Sequence, residues 1–144
     1  MRTGIIIALF FFSFCGVAQE RLSWSALEQI DFTEVYDEGT ASWVQVPQWT
    51  PEQRENWDGK EMKITGYAIV LDPVDHIYAL SRYAFSSCFF CGNAAPNTVV
   101  ELVFKDQPDH LVTDQFVVIK GILVFNDKDP YRLFFIIQQA EFHG

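Results

Sequence analysis

Basic residues are scarce in this 144-residue chain. Ten Lys and Arg stand against nineteen Asp and Glu, for a formal net charge of −9. A surface this acidic repels phosphate backbones, which argues against nucleic acid as a partner. Long apolar runs are also rare. The longest uncharged one, Ile5 to Phe14, falls short of the roughly 20 residues needed to cross a bilayer as a helix. There are no low-complexity tracts and no charge runs. No G-x-S-x-G, H-E-x-x-H, P-loop or G-x-G-x-x-G motif occurs, and the three histidines leave little for hydrolytic chemistry. The carboxylate pairs Asp72/Asp75 and Asp127/Asp129 sit in turn sequences, where solvated turn residues are the plain reading.

What is abundant is aromatic and apolar side chain. Fourteen Phe and four Trp within a 49% hydrophobic composition supply a core and exclude intrinsic disorder. The length fits one domain.

The N-terminus has the layout of a secretory signal: Arg2, then the Ile5–Phe14 run, then Gly16-Val17-Ala18. Cleavage is expected between Ala18 and Gln19, giving an exported, periplasmic or secreted protein. An uncleaved anchor and a lipid-modified Cys15 are the alternatives; bulky Phe14 stands where lipidation requires a small residue. Cleavage removes Cys15 and leaves two cysteines, Cys88 and Cys91, to meet an oxidising compartment.

Residues 19–56 read as an N-terminal extension. A short helix near Trp24–Glu28 is capped by Ser23 or Ser25. Phe32 to Tyr36 alternates as a strand, Asp37-Glu38-Gly39-Thr40 turns, and Ser42 to Val46 is a strand ended by Pro47. Thr50-Pro51-Glu52-Gln53 starts a brief helix, with Thr as cap and Pro at its first position, that ends near Trp57–Gly59.

Residues 57–144 read as a β domain. Five strands are expected: Met62–Leu71, His76–Tyr83, Thr98–Phe104, Phe116–Phe125 and Tyr131–Phe142. The fourth is so apolar that burial on both faces is expected. Ile64-Thr65-Gly66-Tyr67 and Ile119-Lys120-Gly121-Ile122 echo each other, each strand carrying a mid-run glycine of the kind that marks a bulge or sharp coil. Five coiled strands suit a small closed all-β barrel of the oligonucleotide/oligosaccharide-binding (OB) type. A β-sandwich or open meander is the alternative packing. Fold does not fix function.

The loop 84–97 carries Cys88-Phe89-Phe90-Cys91. C-x-x-C spacing lets both sulfurs point at one spot, so they can share a metal ion or a disulfide. Zn²⁺ or Cu⁺ favours thiolate and needs further ligands. His76, at the start of the strand leading into the loop, and His110, in the connector after the next strand, are the candidates. His143 lies one residue from the end. A disulfide would close only a small ring and contribute at the low end of about 2–4 kcal/mol. Thiol redox catalysis places C-x-x-C at a helix N-terminus in a βαβ setting, which is not evident here. Haem attachment needs His after the second cysteine, and Gly92 is there. Phe89 and Phe90 either shield a metal–thiolate centre or anchor the loop.

Trp57-Asp58-Gly59-Lys60-Glu61-Met62-Lys63-Ile64-Thr65-Gly66-Tyr67, Tyr78-Ala79-Leu80-Ser81 and Ser87-Cys88 through Val99-Val100 together resemble a family of small exported bacterial proteins of unknown function. In that family a G-K strand precedes a G-A-C-I-H element, a proline run and N-Q-x-V. The resemblance covers roughly residues 57–142. Cys88 matches the family cysteine and Pro96-Asn97 the end of its proline run. The family histidine falls at Phe90, a departure for which Cys91 stands one position later, as in the Bacteroidota branch. The resemblance implies an OB-type barrel. Because some relatives are encoded beside zinc-uptake transporters, it also implies a metal-related accessory role; ligand chemistry and this likeness together lead to the expectation of a non-enzymatic protein that binds zinc through Cys88 and Cys91, with an envelope transporter or membrane protein as candidate partner.

Overall fold

The alternation that begins at Lys60 builds five strands closed on themselves. A computed structural model describes residues 20–88 and 95–143; the signal segment, the cut at Ala18 and the stretch from Phe89 to Ala94 lie outside the described residues. The barrel strands are β4 (Lys60–Asp72), β5 (Ile77–Ser81), β6 (Val99–Phe104), β7 (Phe116–Phe125) and β8 (Phe135–Phe142). Their order is β4-β5-β6-β8-β7, and β7 pairs back onto β4. All neighbours are antiparallel except β6 and β8, which run parallel. This is the OB-like connectivity, and closure removes the sandwich and meander alternatives.

The two echoing glycines sit where the barrel turns its corners. β4 is thirteen residues long. Its first part pairs with β7, from Lys60↔Leu123 to Tyr67↔Phe116, and from Tyr67 onward it pairs with β5. Gly66 lies at that handover, where a Cβ would come 2.5 Å from the Ser81 carbonyl oxygen. Gly121 lies opposite a bulge in β8. Val103 pairs with Gln138 but Phe104 with Ala140, so Gln139 is the extra residue, at φ 50°. Glycine at these points lets backbones approach within the reach of a methyl group.

The barrel interior is filled by Ile64, Leu80, Leu102, Ile119, Leu123, Phe135 and Ile137, all essentially solvent-free. β7 is a correction to the sequence reading. Val117, Ile119, Leu123 and Phe125 are buried, while Val118, Ile122 and Val124 between them are only half-buried. A closed barrel has one inside, so the second apolar row faces outward.

The N-terminal extension is built into this core. β1 (Glu20–Arg21) pairs in parallel with β4. α1 (Trp24–Leu27) is capped by Ser23, whose hydroxyl accepts from the Ala26 amide. The Trp24 indole donates to the Thr65 carbonyl at 2.7 Å. Leu22, Leu27 and Ile30 join the barrel's own cluster. α2 (Pro51–Trp57) starts in the expected way: Thr50 and Gln53 form a capping box with Pro51 in the first turn. Trp49 before it stacks on Phe125 at 4.3 Å.

β2 (Asp31–Asp37) and β3 (Ser42–Gln48) form a separate two-stranded hairpin. Pro47 does not end β3 as expected; it pairs with Phe32 inside the ladder. In a two-stranded sheet each strand has an outer edge, which tolerates the missing N–H.

Candidate functional site

The connector between β5 and β6 carries the cysteine pair, and its two arms are tied together at the barrel. Beyond Ser81 the pairing continues for one more step, with the Arg82 amide donating to the Thr98 carbonyl at 2.9 Å. The Arg82 guanidinium forms an ion pair with Glu28, at the end of α1. That bond holds the Arg82 pKa above its ordinary value. The Asn97 side chain, on the other arm, donates to the Glu28 carbonyl at 3.4 Å. One residue of the N-terminal extension therefore grips both arms. Pro96–Thr98 forms a 3₁₀ turn, in which the Thr98 amide and hydroxyl both donate to the Ala95 carbonyl.

On the outgoing arm a short helix, α3 (Phe85–Cys88), stands where the sequence suggested only loop. Its first amides are held from outside. Asp114 accepts from the Phe85 amide at 2.5 Å and from the Ser86 amide at 3.2 Å. Partial burial pushes this carboxyl's pKa up, but the two backbone donors win and it ends below the ordinary value of 3.8. A lowered carboxyl stabilises the fold fully above its unfolded pKa, and that contribution is lost as pH falls through the lower folded value. The urea midpoint of Asp114→Asn should therefore lie below wild type at pH 6. The gap should shrink as pH drops below about 3.8 and close once the wild-type carboxyl is protonated. A gap of constant width from pH 6 to pH 2 would show that the charge of Asp114 is irrelevant.

Cys88 is the last residue of α3. The positive end of a helix dipole, which activates redox thiols, is the opposite one. Cys91 and the side chain of Cys88 lie outside the described residues, as do Phe89 and Phe90.

His76 is not on β5 as expected. It closes the Asp72–His76 turn at φ 56°, and its Nδ1 lies 3.4 Å from the Tyr78 hydroxyl. Asp72 shapes that turn by accepting from the Asp75 and Val74 amides, which lower its pKa, with a smaller contribution from the nearby His76. β5 spans five residues, about 14 Å between its ends at the usual rise of ~3.4 Å. His76 stands at one end and the cysteine connector leaves from the other. His110 is exposed on the connector between β6 and β7. That same connector supplies Asp114, so of the two histidine-bearing segments it is the one that touches α3. Among the described residues no group of three or more His, Cys, Asp or Glu is placed to hold a metal ion.

Glu28, Arg82 and Asp114 escaped the sequence reading. Each acts across a gap in sequence, Asp114 on a partner 29 residues away, and a lone acid before a strand carries no local signal of that. Compared with family models, with curated proteins and with solved structures, the chain matches none.

Proposed function

We propose that the chain is an exported, non-enzymatic envelope accessory protein that holds a thiophilic metal ion, zinc, on the thiolates of Cys88 and Cys91. The observation carrying this reading is the closed neck of the connector. With Glu28 gripping both arms and Asp114 fixing the start of α3, the segment that carries the C-x-x-C leaves and rejoins the barrel between two anchored arms. Tying the ends of a donor-bearing segment before binding lowers the ordering a metal site of few ligands must otherwise supply. His110 is the better third ligand, because its connector already reaches α3. His76 faces the other end of β5. The resemblance to proteins encoded beside zinc-uptake transporters points the same way, towards a transporter or other membrane protein as partner.

Reduced protein should bind about one equivalent of zinc by elemental analysis after gel filtration. Cys88→Ser and Cys91→Ser should each abolish that binding. His110→Ala should weaken the affinity at least tenfold, the usual scale for losing one member of a metal's ligand environment, whereas His76→Ala should leave it unchanged. Equal zinc content in wild type and Cys88→Ser would remove the reading.

A second reading takes the cysteines as a disulfide and the protein as an interaction module. The exposed apolar hairpin favours it: Trp43 is 68% and Tyr36 49% exposed. Thiol titration of protein taken directly from the periplasm separates the two. Neither free thiol nor metal is the outcome for the disulfide module.

A further inference from the structure

The β2–β3 hairpin leaves two adjacent cross-strand pairs of large apolar side chains in water. Val35 and Val44 pair across the ladder, and Tyr36 pairs with Trp43 in an edge-on contact with ring centroids 5.5 Å apart. All four are exposed large hydrophobics. Opposite side chains of adjacent pairs point to opposite faces of a hairpin, so apolar surface is presented on both. A two-stranded sheet in water is marginal by itself and gains from a third strand. Among the described residues β2 and β3 pair only with each other, so each has an outer edge of backbone donors and acceptors on which an extended segment can add.

A groove of about 690 Å³ runs beside the hairpin, between residues 35–37 and 44–47 on one wall and residues 126–130 with Phe134 on the other. The hairpin itself carries charge of one sign. Residues 31–48 contain Asp31, Glu34, Asp37 and Glu38 and no Lys, Arg or His. The facing loop offers one cation to the groove, Lys128, flanked by Asp127 and Asp129. Asp127 is already met by Arg54 at 2.5 Å, which leaves the hairpin acids to set the field. That field opposes a second copy, since two hairpins would bring eight like charges together on a chain of net charge −9. It equally opposes an anionic lipid surface. We propose that the hairpin and its groove dock an extended, cationic polypeptide segment, with alternate apolar residues on the face of Val35 and Val44 and Lys or Arg on the opposite face, over the Trp43 and Tyr36 rings and beside Glu34 and Glu38.

The probe is a fluorescein-labelled ten-residue peptide of alternating Lys and Val, titrated into the full exported chain and read by anisotropy. Saturable binding is expected that weakens as salt rises. A Lys–Ser peptide of equal charge should bind at least tenfold more weakly, as should a Lys–Val peptide N-methylated at alternate positions to remove its backbone donors. Trp43→Ala and the double variant Glu34→Lys/Glu38→Lys should each cut affinity at least tenfold. Both lie on exposed positions of the hairpin, and thermal unfolding should leave their midpoints near that of wild type. Equal affinity for the Lys–Ser peptide, or binding unchanged in both variants, overturns the proposal. So does a dimer in sedimentation equilibrium that Trp43→Ala dissolves, which would make a second copy the occupant. Co-sedimentation with phosphatidylglycerol vesicles that Trp43→Ala abolishes would do the same in favour of lipid.

Discussion

Replacing Gly66 with alanine should cost about 3 kcal/mol of unfolding free energy, the upper end of what overpacking a filled interior exacts. Alanine in a strand is ordinarily the better residue, by roughly 0.5–1 kcal/mol in backbone entropy, so a large loss must come from contact. The added Cβ would lie 2.5 Å from the Ser81 carbonyl oxygen, 3.0 Å from Leu80 Cγ and 3.1 Å from Trp24 Cζ2. The nearest of these is backbone, and Ser81 is held on both sides, by Tyr67 of β4 and Val99 of β5's other neighbour, β6. Nothing there yields cheaply. Gly121→Ala meets the Gln138 carbonyl oxygen at 2.7 Å and the Ile137 Cγ2 at 2.5 Å. One of these is backbone and the other the branched Cγ2 of the fully buried Ile137, so this change should cost about as much. Gly39→Ala, whose nearest neighbour is the half-buried Asp37 carboxylate at 3.4 Å, should change stability by no more than about 0.5 kcal/mol. Equilibrium urea unfolding of the three variants gives the ranking. Gly66→Ala as stable as Gly39→Ala would refute the idea that glycine is what lets β4 pass from β7 to β5.

Leu27→Ala should cost about 2–5 kcal/mol, the range for emptying a leucine site in a tight core. Leu27 belongs to the N-terminal extension, yet it is 0% exposed and clusters with Ile64, Leu80 and Val100 of the barrel. Its neighbour Trp24 is held by the Thr65 carbonyl, and the Leu22 amide donates to the Lys63 carbonyl at 2.8 Å. The extension and the barrel should therefore unfold in one transition, seen alike by far-ultraviolet circular dichroism and by tryptophan fluorescence. Two separated transitions, or a Leu27→Ala loss under about 0.5 kcal/mol, would show the extension to be an appendage.

The barrel was legible because its signals are local. Period-two alternation marks β4 and β6, and paired mid-strand glycines mark where such strands bend. Thr50-Pro51 with Gln53 announces α2 through its own capping chemistry. What stayed hidden depends on partners far along the chain. Burial of Leu27 is decided by strands that begin more than thirty residues later, so its segment reads as a lead-in. Pro47 reads as a stop because nothing nearby says that β3 has a free edge. The apolar outer row of β7 mimics a strand buried on both sides, since composition does not tell a half-covered surface from an interior. At the connector the cysteines are plain in the sequence. The residues that close its neck, Glu28, Arg82, Asn97 and Asp114, are common surface types whose pairing exists only after the barrel has formed.

The strand between β6 and β7 is β8, which follows both in sequence. Until Phe135–Phe142 is free to slide into that slot, β6 and β7 face each other across a gap, and the interior side chains have no wall on one side. Closing the circle therefore takes two pairings between distant parts of the chain, β4 with β7 and β6 with β8, and contacts of that kind are the slow ones to form.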